Sequence, residues 1–552
     1  MNNWQKECLI IIMLVGLTVR LAMAWQPVER MAAFPLVDDS FYSLGIARNI
    51  ARGLGLTADG IHQTNGFQPL YVFLSAPVYL IAGGSQYFPL HIIMTLISLL
   101  GVGTIWLIFK IMSRVATQGA ALFSSFLWSI SPTVIEFEMN GLETGLYTFL
   151  LALTIYYYLE YVRNNPEREM KHCLTLGLLL GLCVLARIDA GFFVLALTGD
   201  FIWANRKLLT GDRLLKFARN LMLMLLVGGV VITPWFSYNF LAYGSVIPVS
   251  GQAVRLISLY PIFSGEKNLA AVHGQEIPGS YYLDNAKQSL AKLFHTPLTQ
   301  TIFWLGMFWQ SEKLGYALLL ACFALIVLML WYAWPEAKQY FSQIHLEKLN
   351  FTLWFAASLL AAYIFYIFGR HYYVRYYFPI VFITVLYSGV IYDLLIDRLL
   401  PSRWNFSPAW VHFFVILIFI ITISYQLRGR YFDQQYPTNH YYPMVKWVNE
   451  NIEPGARVGV FSSGTISYFA VDEVTIINLD GVVNSDAFNA LQTGKMLDYI
   501  RSNNINYVFD VTSQINEMVL GQVSDGRAQS PYLKFVKEGV NGFDLYRVVP
   551  KN

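Results

Sequence analysis

Two adjacent carboxylates, Asp38 and Asp39, follow the first apolar segment of this sequence, in the stretch VDDSFYSLGIARNIARGLG. A carboxylate beside a second carboxylate near a membrane surface has a raised proton affinity, which suits a general base that accepts a proton from a hydroxyl group. Aspartate is also a favoured helix N-cap, but capping needs only one of the two side chains. The acidic pair is therefore the first candidate for catalysis, and capping by one partner is compatible with that role.

A polar stretch farther along, HQTNGFQPLY at positions 62–71, contains Asn65 and Gln68. Each side-chain amide can both donate and accept hydrogen bonds, as a site that recognises the hydroxyl groups of a sugar requires. Gly66 and Pro69 would equally shape an ordinary loop. A sugar-binding role and a loop role for Asn65 and Gln68 therefore both stay open.

Three glutamates, Glu136, Glu138 and Glu143, occur within IEFEMNGLETGL. Their oxygen atoms would suit a divalent cation such as Mg²⁺, Mn²⁺ or Ca²⁺, although solvated acids in a loop are commoner than metal ligands. Glu143 begins a predicted membrane helix, where a carboxylate faces the interior of the helix bundle or its mouth. Glu136 and Glu138 are thus candidate metal ligands, and Glu143 is a candidate substrate-binding residue.

Two basic clusters also fall in apolar surroundings. Arg187 and Asp189 lie in LLGLCVLARIDAGFFVLA, and Arg370, His371 and Arg375 lie in GRHYYVRYYFP. Ionisable groups at membrane depth are functional candidates, and a guanidinium can bind a phosphate through two parallel hydrogen bonds. The alternatives are a satisfied ion pair for Arg187 with Asp189, and simple interface anchors for the later cluster. We retain all five residues as candidates for substrate binding.

The composition places these residues in a membrane protein. Charged residues make up 13% of the 552, about half of the roughly 25% that soluble domains contain. Apolar runs near the ~20 residues needed to cross hydrocarbon recur along the first four-fifths of the chain. The four cysteines all fall in apolar segments, which indicates neither a disulfide framework nor a CxxC metal site. The net charge of +3 is spread along the chain and predicts no nucleic-acid partner.

The apolar runs predict about eleven transmembrane helices. Basic residues occupy alternate short loops, so we expect those loops in the cytoplasm and the loops 26–85 and 242–313, with the tail after 428, on the opposite side. The predicted crossings are 8–25, 86–110, 117–133, 145–162, 172–187, 190–205, 219–241, 314–334, 350–369, 377–396 and 408–427.

The first outer loop and the tail have structure of their own. Residues 38–53 show helical spacing and predict an amphipathic helix lying in the interface, and 69–82 predict a second apolar segment along the outer leaflet. In the tail, 436–552, the runs 457–461, 474–478 and 506–510 predict buried strands, with a helix over 490–502. Ser462, Ser463 and Gly464 follow the first strand as a phosphate loop would, but G-x-G-x-x-G is missing. A small α/β domain that caps the outer face is thus favoured over a nucleotide site.

Taken in order, these features resemble the GT-C membrane glycosyltransferases. They are VDD after the first helix, TNGFQPLY, NGLETGL, the L-x-R-x-D turn at 185–189 and an outer C-terminal domain. Protein O-mannosyltransferases, lipid A aminoarabinose transferases and mycobacterial-type arabinofuranosyltransferases share that plan, and the resemblance covers residues 1–430. It implies a polyprenyl-phosphate-sugar donor and an inverting single displacement. By the same resemblance Asp38 is the base and Asp39 its acidic neighbour. The Asp-Asp pair and GFQPL depart from the Asp-Glu pair or double proline of the mannosyl and aminoarabinose groups, so the substrate stays open.

The expected protein is thus a multi-pass glycosyltransferase of the cytoplasmic (inner) membrane, with a transmembrane catalytic module at 1–430 and an extracytoplasmic α/β domain at 436–552. Its acceptor would be an envelope glycan, lipid or protein on the extracytoplasmic face. Arg187 and Arg375 would stabilise the departing phosphate, with Asp39 or Glu143 as electrostatic partners.

Two other classes of protein compete with this reading. The main alternative is a polytopic transporter or lipid flippase, but such proteins commonly show inverted repeats, and none is visible here. A non-catalytic assembly component would explain the tail but would leave the acidic pair without a role.

Overall fold

The computed structural model describes residues 3–83, 85–163, 170–208, 211–259, 276–293, 331–366, 374–399, 439–522 and 526–550, with single positions elsewhere. The part before residue 400 is helical, and the part after 439 is an α/β sheet domain. The helices of the first part are α1 (Asn3–Ala24), α2 (Val28–Ala33), α3 (Asp38–Ala51), α4 (Pro69–Ile81), α5 (Phe88–Val115), α6 (Gln118–Ile130), α7 (Pro132–Glu138), α8 (Thr144–Tyr157), α9 (Met170–Ala186), α10 (Ala190–Asn205), α11 (Asp212–Tyr243), α12 (Val249–Leu259), α13 (Gly279–Leu293), α14 (Trp334–Gln343), α15 (Asn350–Tyr366) and α16 (Phe378–Tyr392).

Five of the described helical segments are long and apolar enough to cross a membrane, namely α1, α5, α11 and the segments Leu346–Tyr366 and Arg375–Ile396. The pair α6 and α7 would add a sixth, although the two helices meet at 61°. The helices α4, α9 and α10 are apolar but shorter. The predicted crossings 314–334 and 408–427 lie mostly outside the described residues. The prediction of several apolar membrane helices is confirmed, whereas the count of eleven stays a prediction.

The bend between α6 and α7 has a local cause. Pro132 lacks an N–H group and begins α7, and Ser131 caps that helix through its side chain. The chain then turns back toward α8. The sequence alone predicted an unbroken helix over 117–133, because the apolar run continues through the proline.

A buried ion pair accounts for Arg20, the charged residue inside the first predicted crossing. Arg20 on α1 donates two hydrogen bonds to Glu138 at the end of α7, and Trp128 donates a third. Arg20 and Glu138 are both completely buried. Two charges without access to water must be paired, so this contact joins α1 to the α6–α7 bend.

The sheet domain contains five strands in the order β2-β1-β3-β5-β4. The strand β1 pairs in parallel with β2 and β3, and β5 pairs antiparallel with β3 and β4. The strands are β1 (Arg457–Val460), β2 (Thr475–Asn478), β3 (Tyr507–Val511), β4 (Leu533–Glu538) and β5 (Phe543–Val548), and the helices are α17 (Tyr442–Asn451), α18 (Gly464–Phe469), α19 (Ser485–Gln492), α20 (Met496–Ser502) and α21 (Thr512–Leu520).

The three predicted strands of the tail are confirmed to within one residue at each end, and the predicted helix 490–502 is interrupted at Gly494, which has φ +67°. The hairpin of β4 and β5 was not predicted. Helices α3 and α4 lie where the sequence placed them, but α3 does not lie free in the interface. Its residues 40–49 are all buried, because α4 of the helical part and α18 of the sheet domain both pack against it.

Candidate active site

A cavity of about 530 Å³ lies between the membrane helices and the sheet domain. Part of its wall is apolar and is formed by Phe67, Phe192, Val254 and Ile257. The rest of the wall is polar. The charged and amide side chains that line it are Asp38, Asp39, Gln68, Glu143, Arg187, Asp189, Arg375, Asp480 and Gln514. The cavity thus brings together seven of the residues that the sequence singled out.

Asp38 is held by the sheet domain. It begins α3, and its two oxygen atoms accept hydrogen bonds from the backbone N–H groups of Gly464 and Thr465, at 3.2 and 2.7 Å, and from the Thr465 hydroxyl at 2.7 Å. Burial raises the pKa of Asp38 to about 6, because the hydrogen bonds from Thr465 and Gly464 only partly offset the loss of water. Asp38 is therefore a fixed carboxylate that is more basic than an ordinary aspartate.

The loop after β1 explains why the sequence there resembles a phosphate loop. Its N–H groups do bind an anion, but the anion is the carboxylate of Asp38. A Cβ atom at Gly464 would lie 2.2 Å from the Asp38 carbonyl oxygen, so only glycine allows this approach. Tyr42 completes the contact, since its hydroxyl accepts a hydrogen bond from the N–H of Ser463 at 3.0 Å.

Asp39 has a different partner from Asp38. Its carboxylate forms an ion pair with Arg375 at 2.6 Å, and 38% of its side chain is exposed, against 15% for Arg375. Asp38 and Asp39 therefore have different surroundings although they are adjacent. One is bound by the sheet domain, and the other is bound by a cation from the start of the segment Arg375–Ile396.

The turn between α9 and α10 supplies the second cation. Arg187 donates to both oxygens of Asp189, at 3.2 and 2.6 Å, to the Tyr363 hydroxyl and to the Arg375 carbonyl oxygen. Glu143 lies 3.7 Å from the Arg187 guanidinium. All three guanidinium nitrogens of Arg187 thus have partners within the protein, and one of those contacts positions the backbone of Arg375.

Asp480 was not predicted from the sequence. Asp480 lies two residues after the end of β2, and Ser462 lies two residues after the end of β1. Gln514 lies in the first turn of α21, which follows β3. All three residues line the cavity. The carboxyl ends of parallel strands share one edge of a sheet, and that edge is where ligands bind in open α/β sheets. This rule, applied to the three predicted strands, would have found the residues. Burial raises the pKa of Asp480 to about 8.

Other candidates have structural roles or lie elsewhere. Gln68 lines the cavity, but Asn65 does not: it is fully buried, and its side-chain oxygen accepts from the N–H of Val249, at the start of α12. Glu138 is the partner of Arg20 and is not available as a metal ligand. Glu136 does not line the cavity. Among the described residues there is no group of three or more His, Cys, Asp or Glu that could hold a metal.

Arg370 and His371 lie outside the described residues, so the structure does not place them. Of the later basic cluster, Arg375 alone belongs to the described wall of the cavity.

Two family models match parts of the chain. The model described as dolichyl-phosphate-mannose-protein mannosyltransferase matches residues 68–238, and a domain of unknown function, DUF8728, matches residues 426–546. The first match contains Gln68, Glu143, Arg187 and Asp189, and the second covers the sheet domain up to residue 546, within β5. No curated protein matches the chain.

Solved structures of two membrane enzymes have a similar fold. ArnT from Cupriavidus metallidurans bound to undecaprenyl phosphate is 11% identical, with a TM-score of 0.54, and the match covers 100% of this chain and 99% of that one. The archaeal oligosaccharyltransferase AglB from Archaeoglobus fulgidus, in complex with an inhibitory peptide and a dolichol-phosphate, is 13% identical, with a TM-score of 0.51 over 99% of this chain and 74% of that one. The resemblance drawn from the sequence is thereby confirmed at the level of the fold.

Proposed function

We propose that this chain, a membrane protein of the GT-C glycosyltransferase superfamily, transfers one sugar from a polyprenyl-phosphate donor to an envelope acceptor. The observation that carries the proposal is a single cavity with an apolar wall, two arginines and a carboxylate held rigidly between two parts of the chain. A lipid chain needs the apolar wall, a phosphate needs the cations, and an attacking hydroxyl needs the base. The acceptor class, whether glycan, lipid or protein, stays open.

Asp38 is the base in this mechanism. Its raised pKa of about 6 leaves it ionised at neutral pH and increases its affinity for a proton. A carboxylate offers about four lone-pair positions, and the three hydrogen bonds from Gly464 and Thr465 use three of them, which leaves capacity for the acceptor hydroxyl. As the acceptor oxygen attacks the anomeric carbon, its proton passes to Asp38. The bond from that carbon to the phosphate oxygen breaks, and the phosphate leaves with the electron pair.

Arg375 is the cation best placed for the departing phosphate. Its ion pair with Asp39 holds the guanidinium at the cavity wall, and a phosphate oxygen can replace or share that carboxylate. Arg187 has a positioning role instead, since its hydrogen bond to the Arg375 carbonyl fixes the next cation. Asp39 and Glu143 would then balance the positive charge of both arginines and of an oxocarbenium-like sugar.

The two sides of the cavity have different roles. The apolar wall, with Phe67, Phe192, Val254 and Ile257, suits the polyprenyl end of the donor. The sheet-domain wall, with Asp480 and Gln514, suits the polar groups of an acceptor. The alternate basic loops of the sequence favour the extracytoplasmic face of the cytoplasmic membrane for this cavity.

The test is incubation of the purified protein with a panel of polyprenyl-phosphate sugars, followed by measurement of released polyprenyl phosphate. Asp38→Asn should lower turnover by a factor of roughly 10² to 10⁴, because asparagine cannot accept the proton. Asp486→Asn, in the first turn of α19, is the matched control and should keep wild-type turnover. Normal turnover in Asp38→Asn with loss in Asp39→Asn would move the base by one residue. Normal turnover in both variants would refute the mechanism.

A further inference from the structure

A second pocket, of about 100 Å³, lies at the opposite end of α3 from the acidic pair. It is lined by Arg48, Ala51, Arg52, Tyr79 and Leu80, and it shares no lining residue with the large cavity. Asp38 and Arg48 are ten residues apart on one helix, which corresponds to about 15 Å at 1.5 Å per residue. A pocket of this volume has room for several water molecules or for a small polar group.

Arg48 carries a buried charge that lies over the Tyr468 ring, 4.7 Å from the ring centre, but forms no ion pair among the described residues. Only 7% of the residue is exposed, and Nη1 donates to the Tyr468 carbonyl oxygen at 2.7 Å and to the Gln86 side chain at 3.2 Å. Its Nε has no hydrogen-bond partner, and no described carboxylate lies within ion-pair distance of Arg48. A buried guanidinium without a paired anion is costly, so an anionic group bound in the pocket would stabilise Arg48.

Arg52, one turn farther along α3, adds a second cation. It forms an ion pair with Asp472 at 3.0 Å, but 32% of the Arg52 side chain and 73% of the Asp472 side chain are exposed. An exposed pair of this kind is weak and can rearrange. Two guanidiniums on one wall of a small pocket offer the forked donors that phosphate oxygens accept.

The surroundings identify the source of the phosphate. Beside the pocket, α4 exposes large apolar side chains, with Leu80 64% and Ile81 87% exposed, and Leu74 55%. In a protein whose helices cross a membrane, such a surface contacts acyl chains, and basic side chains at that level attract anionic lipids. A phosphate at Arg48 and Arg52 with its acyl chains along α4 would satisfy both features at once.

We propose that this pocket binds the phosphate headgroup of an anionic glycerophospholipid, at a site separate from the cavity for the donor. The bound lipid would also connect α3 to the sheet domain, because Arg48 already contacts Tyr468 and Arg52 contacts Asp472. Lipid binding would therefore stabilise the interface that positions Asp38.

The proposal is tested by the thermal unfolding of the purified protein in detergent with added phosphatidylglycerol, with phosphatidylcholine or with inorganic phosphate. Phosphatidylglycerol at about ten times its Kd should raise the Tm by about 2 °C, and phosphatidylcholine should not. Arg48→Lys and Arg52→Gln should each lose at least half of that shift. Arg527→Gln, which removes an exposed arginine paired with Glu538, should keep it.

Each outcome decides the matter. If Arg48→Lys does not fold, Arg52→Gln at the exposed end of the helix carries the test alone. If inorganic phosphate raises the Tm as much as phosphatidylglycerol does, the pocket binds phosphate alone, and the proposal of a lipid ligand is wrong. A phosphatidylglycerol shift that survives unchanged in Arg52→Gln would overturn the site.

Discussion

At the scale of single residues, the site depends on two neighbouring carboxylates that have different partners. Both side chains are partly buried, but Asp38 accepts three hydrogen bonds from the sheet domain, whereas Asp39 pairs with Arg375. Burial raises the proton affinity of Asp38, and the hydrogen bonds lower it and fix its direction. The balance of these effects, rather than the acidic pair as such, sets the pH at which the base works.

Thr465→Val tests this balance. The Thr465 hydroxyl donates to the ionised form of Asp38, so its loss should raise the pKa of Asp38 above about 6. Below that pKa the base is protonated and inactive. The acid limb of the profile of kcat/KM against pH should therefore move upward, on the order of one pH unit, with little change near pH 8. Thr493→Val is the control and should leave the profile unchanged, because the Thr493 hydroxyl donates to the carbonyl oxygens of Asn489 and Ala490 in the preceding helix. An unmoved acid limb in Thr465→Val would contradict Asp38 as the base.

The two arginines of the cavity should respond differently to lysine. Lysine cannot reproduce the contacts of Arg187 with both oxygens of Asp189 and with the Arg375 carbonyl, so Arg187→Lys should lower the Tm. Its affinity for the donor should change by less than about threefold. Arg375→Lys should weaken donor binding by about tenfold, because one point charge replaces a forked donor. Binding of a polyprenyl-phosphate sugar, measured for both variants, checks the assignment. The opposite ranking would make Arg187 the phosphate ligand.

At the scale of elements, α3 is the piece that joins the site to the sheet domain. It was expected at the membrane surface, and it is instead covered by α18, with Phe41 packed against Tyr468 and Phe469. Its first turn contributes the acidic pair, and its last turn contributes the arginines of the second pocket. A change at the contact between α3 and α18 should therefore affect the active site without touching the substrate.

Gly464→Ala provides that change. The added Cβ would lie 2.2 Å from the Asp38 carbonyl oxygen, which no backbone can accommodate without a shift, so α18 must move away from α3. Turnover should fall by at least tenfold, and amide hydrogen exchange in residues 38–51 should become faster while the sheet strands keep their protection. Gly526→Ala is the control, since its nearest neighbour lies at an ordinary 3.5 Å. Wild-type exchange and turnover in Gly464→Ala would show that this contact does not position the base.

The same elements show what the sequence could predict. Helix α10 and the three parallel strands follow from hydrophobic patterns that are local, and Arg187 with Asp189 is a pair only two residues apart. The contact of Asp38 with Thr465 joins residues 427 positions apart, and no local pattern encodes it. Asp480 was missed for the same reason. The burial of α3 depends in part on contacts with the distant sheet domain. The amphipathic pattern of α3 alone therefore predicts a helix at the membrane surface.

At the scale of the whole molecule, several of the basic loops contact one another. The N–H of His345 donates to the Val115 carbonyl, next to Arg114, and Asn205 donates to the Arg163 carbonyl, next to Arg206. These contacts join loops that the sequence assigned to one side of the membrane. Positive residues favour the cytoplasmic side, so the cavity and the sheet domain should face away from the cytoplasm.

Single cysteines in a variant with all four native cysteines changed to serine test this orientation. Lys446→Cys lies in the sheet domain at a side chain that is 80% exposed, and Glu347→Cys lies before α15 at one that is 59% exposed. In intact cells an impermeant thiol reagent should label Lys446→Cys and should label Glu347→Cys only after lysis. Both sites are open to solvent, so a difference reports the membrane and not burial. Labelling of Glu347→Cys alone in intact cells would invert the molecule, and the base Asp38 would then face donors and acceptors in the cytoplasm.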